Sequence, residues 1–431
     1  MTGPLRLLRI RRAWLWVALL AIIAASFVGF AVDRLSTGAG PSTMPPVPVM
    51  SQTELAGNLS LGRDCGYSTP LPADPGTSLW LFCDTPVYAR RARAGHSNWD
   101  LQRFIAGSTA AFAATVAGTS PASRKPGTLS EVRTPRVLLP AADRRALPAG
   151  GRGAPDAASI STVPQPFLSA PTELFTSAGL PCGLDNGSYP VSWISGVTPV
   201  PSSPYLLISF NDYCVLGQSG GGFLPEGFGL VEYDPATGTL SNDATVYYGT
   251  DGTLSAAPVP LGSPVFAGGY LYLFGATCSA PLRGQCGGTM FEARVAASPQ
   301  VWSDPLSYQW AAAGAPNSWT SDPFAAAAMV PGPKPDGLSV TSFQTGGRGI
   351  VAIEQTDIRG SFEVYQAQAP DGTWSAVRSG RVDCRVGPGY ANFCRALIAH
   401  PELSTPTQLV LSYFDPAAAP EGHVMVQGFT W

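Results

Sequence analysis

Charge is scarce along this chain. Only 13% of its 431 residues are Asp, Glu, Lys or Arg, 26 basic against 29 acidic, for a formal charge of −3. Five arginines and one aspartate fall within the first 34 residues, which leaves 21 basic against 28 acidic side chains in the rest. No basic stripe exists to track a nucleic-acid backbone, and the acidic balance also disfavours a polyanionic ligand. Histidine is scarcer still: His96, His400 and His423 are the only three, and none stands at zinc-ligand spacing. G-x-S-x-G occurs only at 217–221, between strand-like runs rather than at a strand-to-helix elbow, so Ser-His-Asp hydrolysis has no motif in context behind it. The glycines of GQSGGG (217–222) lie between strand-like runs rather than between a strand and a helix, which removes a phosphate-cradling loop. No ligand spacing calls for a metal, calcium included, and no cofactor is expected.

What the chain has in quantity is apolar residues (45%), glycine (48) and proline (42). Glycine and proline are spread between apolar runs, which points to many turns in a large core rather than to disorder. At the N-terminus, Arg6, Arg9, Arg11 and Arg12 precede an uncharged run from Ala13 to Val32. That run is long enough to span a bilayer, and the flanking charges put the N-terminus in the cytoplasm and the remainder outside. A cleaved signal is the alternative, with Gly29 and Ala31 as small residues before a cut. Residues 1–34 are thus read as basic tip and membrane anchor, 35–54 as a Pro-rich spacer, and 55–431 as the exported domain. Eight cysteines in an exported domain read as disulfides. They fall in sequence-local pairs: Cys65 with Cys83, Cys182 with Cys214, Cys278 with Cys286, Cys384 with Cys394.

A phrase recurs five times beyond the spacer. Short strands at Arg63–Leu71, Tyr189–Val197, Pro264–Ala267, Leu338–Gln344 and Arg395–His400 each lead through a turn into an apolar strand (SLWLFCDT, PYLLISFNDYC, GYLYLFGATC, GIVAIEQTD, QLVLSYFDP). From the second recurrence on, a third strand follows. This spacing predicts an all-β fold, a five-bladed β-propeller preceded by one transmembrane helix, with the first blade beside the fifth. A β-sandwich with extra hairpins is the plainer alternative. Phe104 to Val116 reads as the outer part of the first blade or a short helix. Thr119 to Pro166 breaks the pattern, and its Ala142–Ser161 part reads as a mobile surface loop.

The opening stretch, Leu61 to Tyr88, reads as a hairpin with a Pro/Asp/Gly turn at Pro72–Gly76. Its geometry brings Asp64 and Asp84 together with Cys65 and Cys83. RDCGYSTPLP (63–72) with SLWLFCDT (78–85), and HPELS (400–404) before a final SYFDP (412–416), resemble the domain-of-unknown-function 4185 group of exported five-bladed propellers. Some members of that group are endo-D-arabinanases acting on actinobacterial cell-wall arabinan. The resemblance covers Leu55 to Trp431 apart from the long insert. It implies that Asp64, in its D-x-G setting, and Asp84, before Thr85, are the catalytic acids. Two cysteines depart from the family pattern: Cys83 stands where Gly is usual, and Cys65 sits inside the first motif.

Glycoside hydrolysis needs one protonated and one ionised carboxyl, and a propeller's axial funnel suits both. The plain role for Asp64 is a cap, and for Asp84 an Asx-turn. Further substrate-binding candidates are Asp212 in FNDYC, Trp193 and Tyr189 as rings to stack on a sugar, and His400 with Glu402 in AHPEL. Each also has a plain role, in a turn, a core or a local backbone hydrogen bond. Glu232, Glu292 and Glu363 are expected to face solvent. The function expected is a membrane-anchored extracytoplasmic glycoside hydrolase acting on cell-wall polysaccharide. The alternative is a non-catalytic propeller that binds wall glycan or a protein partner.

Overall fold

The middle strands of this protein are apolar on both faces: LWLF (79–82), LLI (206–208), LYLF (271–274), IVAI (350–353) and LVL (409–411) are buried without alternation. Such runs belong to strands covered on both sides. In the computed structural model, which describes residues 42–431 apart from 58, 91–98, 119–122, 139–159, 171–173, 175–180, 184–186, 217–221, 248–259, 277–289, 313–317, 327–336, 344–346, 387–392 and 419–421, each run is the second strand of a sheet.

Five sheets follow one another along the chain. The first orders Cys65–Leu71, Asp74–Phe82, Thr109–Ala117, Ser130–Val132 and Ile160–Ser161, with Arg124–Pro126 paired alongside. The second orders Tyr189–Pro199, Leu206–Val215, Phe223–Asp234 and Thr239–Tyr247, and Arg136–Val137 adds to its outer edge in parallel. The third runs from Gly262–Ala267 through Tyr270–Ala276 and Met290–Ala296 to Gln309–Ala311 and Trp319–Thr320. The fourth holds Gly337–Phe343, Gly349–Gln355, Ser361–Ala367 and Ser375–Arg381. The fifth holds Arg395–Ala399, Gln408–Asp415 and His423–Thr430, and its outermost strand is Ser42–Pro48 from the other end of the chain. A small sixth sheet, Leu59–Leu61 with Thr85–Arg90 and Trp99–Ile105, stands apart.

The first strands of the five sheets adjoin in a closed cycle, each touching the next, with Arg395–Ala399 returning to Cys65–Leu71. Five apolar cores fill the spaces between consecutive sheets. Leu79 and Leu81 pack toward the second sheet with Ile208 and Phe210, while Trp80 and Phe82 pack toward the fifth with Val410 and Val424. One strand therefore feeds two cores, which is why its sequence does not alternate.

Several expectations change. The Pro-rich stretch read as a spacer contributes a strand, with Met44 and Val49 buried in the core between the fifth and first sheets. Prolines are tolerated there because it is an edge strand, and its register slips around them. Part of the 119–166 insert is ordered into the first two sheets, and Leu129 and Val132 are buried; its 142–159 portion lies outside the described residues. Within Phe104–Val116, residues 109–116 lie in the third strand of the first sheet, the outer-blade alternative, while Phe104 and Ile105 end a strand of the small sixth sheet. Glu292 and Glu232 are buried rather than solvent-facing. Burial pushes Glu292 up to about 9, opposite Phe274 in the core between the third and fourth sheets.

Three disulfides join Cys65 to Cys83, Cys182 to Cys214 and Cys384 to Cys394; Cys278 and Cys286 lie outside the described residues. So does the uncharged run at 13–32. Among the described residues no helix is long and apolar enough to cross a membrane.

Candidate active site

The site grows from the entry to the first strand of the first sheet. Arg63 is buried, paired with Glu131 and seated over the Phe82 ring at 4.3 Å, so the backbone before Asp64 is pinned. Cys65 adopts φ +65°, a left-handed conformation that a non-glycine residue holds only when its surroundings enforce it. Three things do. The Cys65 amide donates to Asp64 Oδ1 at 2.7 Å, the Cys83 amide donates to the Asp64 carbonyl at 3.0 Å, and the disulfide holds the two Cα atoms 5.4 Å apart. Asp64 precedes the first strand and Asp84 follows the second, so the same clamp fixes both acids at one end of the hairpin.

Their surroundings differ. Asp64 is about a fifth exposed and its Oδ2 accepts from Arg395 Nε at 2.6 Å. Arg395 begins the first strand of the fifth sheet, and its guanidinium lies over Phe414 at 4.0 Å. Asp84 Oδ1 accepts from the Gly107 amide at 2.7 Å and from Trp193 Nε1 at 3.0 Å. Burial lifts the Asp84 carboxyl to about 6, against those two hydrogen bonds; the Asp64 charge adds to the rise and Arg395 opposes it. Gly107 holds φ +94°, a conformation that suits glycine and turns its amide onto the carboxylate. One acid is ion-paired and the other largely desolvated, which is the arrangement that separates acid from base.

Trp193 and Tyr189 come to this site from the second sheet. The Tyr189 hydroxyl is pushed well above its ordinary range by burial and by the charge and hydrogen bond of Asp84. Trp193 packs on Tyr213 at 5.0 Å and on Phe223 at 5.3 Å. Asp212 is not a turn residue: it is wholly buried inside the Leu206–Val215 strand, with Ser192 Oγ donating to Oδ1 at 2.6 Å. Burial lifts it to about 7, opposed by the Ser192 bond and aided by Asp243.

His400 and Glu402 are not brought to the acids. His400 stands five residues beyond Arg395, roughly 15 Å along the strand. It is fully buried, stacked on Trp80 at 4.8 Å, with Nδ1 2.6 Å from Ser68 Oγ, and the same hydroxyl donates to Glu402. This is a polar pin between the first and fifth sheets. Arg395 and Gly107 were not among the sequence candidates. Arg395 sits 331 residues from its partner, a pairing that only the ring closure reveals.

No family model matches this sequence, and no curated protein matches it. Solved structures do. A candidate hydrolase from Bacteroides ovatus is 15% identical, with 85% of each chain covered and a TM-score of 0.49. Zg3597, a family 117 glycoside hydrolase produced by Zobellia galactanivorans, is 10% identical over 90% of each chain at 0.41. The α-L-arabinofuranosidase arb93a of Fusarium graminearum is 10% identical over 91% of this chain and 98% of its own at 0.37. With TM-scores under 0.5 these likenesses carry no weight for the chemistry of the site, and the fold is read from the strand pairing.

Proposed function

We propose that this protein is a membrane-tethered extracytoplasmic glycoside hydrolase, built on a five-bladed β-propeller and acting on furanose-containing cell-wall polysaccharide such as arabinan. The closed cycle of first strands supports five blades. The arginines before the uncharged run at 13–32 support the tether, and the disulfides support export. The resemblance of the Asp64 and Asp84 motifs to the arabinanase-containing group supports the substrate.

The observation that carries the proposal is the pair of acids held by one disulfide-clamped hairpin end in unlike surroundings. Asp84, protonated below about pH 6, donates its proton to the departing glycosidic oxygen. Asp64, in its salt bridge with Arg395, is the ionised partner. It either draws a proton from an attacking water or attacks the anomeric carbon itself, and the stereochemistry of the product distinguishes the two. The same salt bridge favours a second reading, a glycan-binding propeller without turnover, because it occupies the carboxylate that hydrolysis needs free.

Digestion of purified arabinan and arabinogalactan separates these. The wild-type chain is expected to release reducing ends, and Asp64→Asn and Asp84→Asn each to lose about 10²- to 10⁴-fold in rate. Absence of cleavage leaves the binding reading; equal rates in the variants refute the assignment of these two acids.

A further inference from the structure

The chain between Asp84 and Gly107 leaves the first sheet and returns to it. Thr85–Arg90 and Trp99–Ile105 form the small sixth sheet, and the excursion ends at the amide that holds the Asp84 carboxylate. Near its return, Phe104 reaches the neighbouring sheet and meets Tyr189 edge-on, 5.8 Å between centroids at 85°. Phe223, which begins the third strand of the second sheet, meets Trp193 edge-on, 5.3 Å at 77°, and Tyr213 at 5.1 Å.

Phe104 is 44% exposed and Phe223 53%. A single exposed phenyl ring is ordinary on a protein surface. These two are not isolated, because each leans on a half-buried ring beside Asp84: Trp193, whose indole N–H donates to it, and Tyr189, whose hydroxyl feels its charge. Tyr189 and Trp193 are four residues apart on one strand, about 13 Å. The four rings therefore form an aromatic surface beside Asp84 that reaches solvent at Phe104 and Phe223.

We infer that Phe104 and Phe223 are outlying binding subsites for the chain of a neutral glycan, continuing the aromatic lining beside Asp84 out to solvent. The inference rests on the hydrolase reading for any cleavage at Asp84, but its binding claim stands apart. Aromatic faces pair with the C–H faces of sugars, and the carboxyls nearby, in an exported part with a surplus of acidic residues, turn away a polyanion. Both phenyl rings are exposed, so truncating them leaves the cores intact.

Affinity electrophoresis through gels containing arabinan or arabinogalactan, with the Asp84→Asn chain so that nothing is cut, tests this. Phe104→Ala and Phe223→Ala are each expected to weaken retardation roughly three- to tenfold, and Phe104→Tyr and Phe223→Tyr to restore it. Undiminished binding in the alanine variants, with the wild type still cleaving, overturns the subsites and leaves the hydrolase standing. Ring-dependent binding by a wild type that cuts nothing keeps the subsites and overturns hydrolysis. No binding to either glycan overturns the inference, as does a concentration-dependent dimer abolished by the same two changes, which would assign the rings to a second copy of the chain.

Discussion

Replacing Asp84 with asparagine should slow turnover by about 10²- to 10⁴-fold and make the protein more stable. Asparagine keeps the oxygen that accepts from Gly107 and Trp193 while removing the charge that burial penalises. The carboxyl sits at about 6 in the fold against an ordinary 3.8. A gap of that size corresponds to roughly 3 kcal/mol, to be taken as an upper figure because the residue is partly exposed. The sign follows from proton binding. Between pH 4 and 6 the folded protein holds the proton more tightly than the unfolded chain, so wild-type stability falls as pH rises through that window. The asparagine variant lacks this loss. Urea unfolding at pH 3.5, 5 and 7 should show the two proteins alike at the lowest pH and the variant ahead by about 1–3 kcal/mol at the highest. A variant less stable than wild type at pH 7, or an advantage independent of pH, would refute the reasoning that Asp84 is a desolvated acid.

Other perturbations test the parts that hold the site. Cys65→Ser with Cys83→Ser opens an 18-residue loop and should cost about 3 kcal/mol in denaturant unfolding, with a loss of activity beyond that from other disulfides because both acids lean on it. Arg395→Met removes the cation from Asp64 and from the neighbourhood of Asp84, so the Asp84 midpoint should rise above about 6, read from carboxyl chemical shifts against pH. An unmoved midpoint would mean that Arg395 has no electrostatic role. Deleting residues 1–49 strips the outer strand from the fifth sheet and uncovers the sites of Met44 and Val49; a destabilisation of about 3–6 kcal/mol and aggregation in light scattering are expected.

The first strands of the five sheets were legible in the sequence to within two residues and the apolar second strands to within four, because strands buried on both faces leave uninterrupted runs. Outer strands were not. Ser375–Arg381 (SAVRSGR) is largely polar and exposed, and Ser42–Pro48 is so rich in proline that it reads as a spacer; both sit at sheet edges, where solvent and missing amide donors are tolerated. At the site, Asp64 and Asp84 were legible because local hairpin geometry puts strand ends together. Trp193 and Tyr189 were legible as aromatic residues on a first strand, though not the Trp193 bond to Asp84 or the closeness of Tyr189 to it. Arg395 was hidden by the ring closure, which joins residues from opposite ends of the chain. His400 misled for a related reason: its strand does approach the first sheet, but the residue lies at the far end of that contact. Glu292 misled because a carboxyl in a third strand ordinarily turns to solvent, whereas here both faces of the sheet are covered.

The pH dependence of kcat/KM for arabinan cleavage bears most directly on the claim that Asp84 gives up a proton while Asp64 stays ionised. The rate should bend downward near pH 6 and fall about tenfold per pH unit above it, as the proton leaves Asp84. A rate flat from pH 5 to 8, in a protein that does cleave the glycan, would contradict the assignment of the acid.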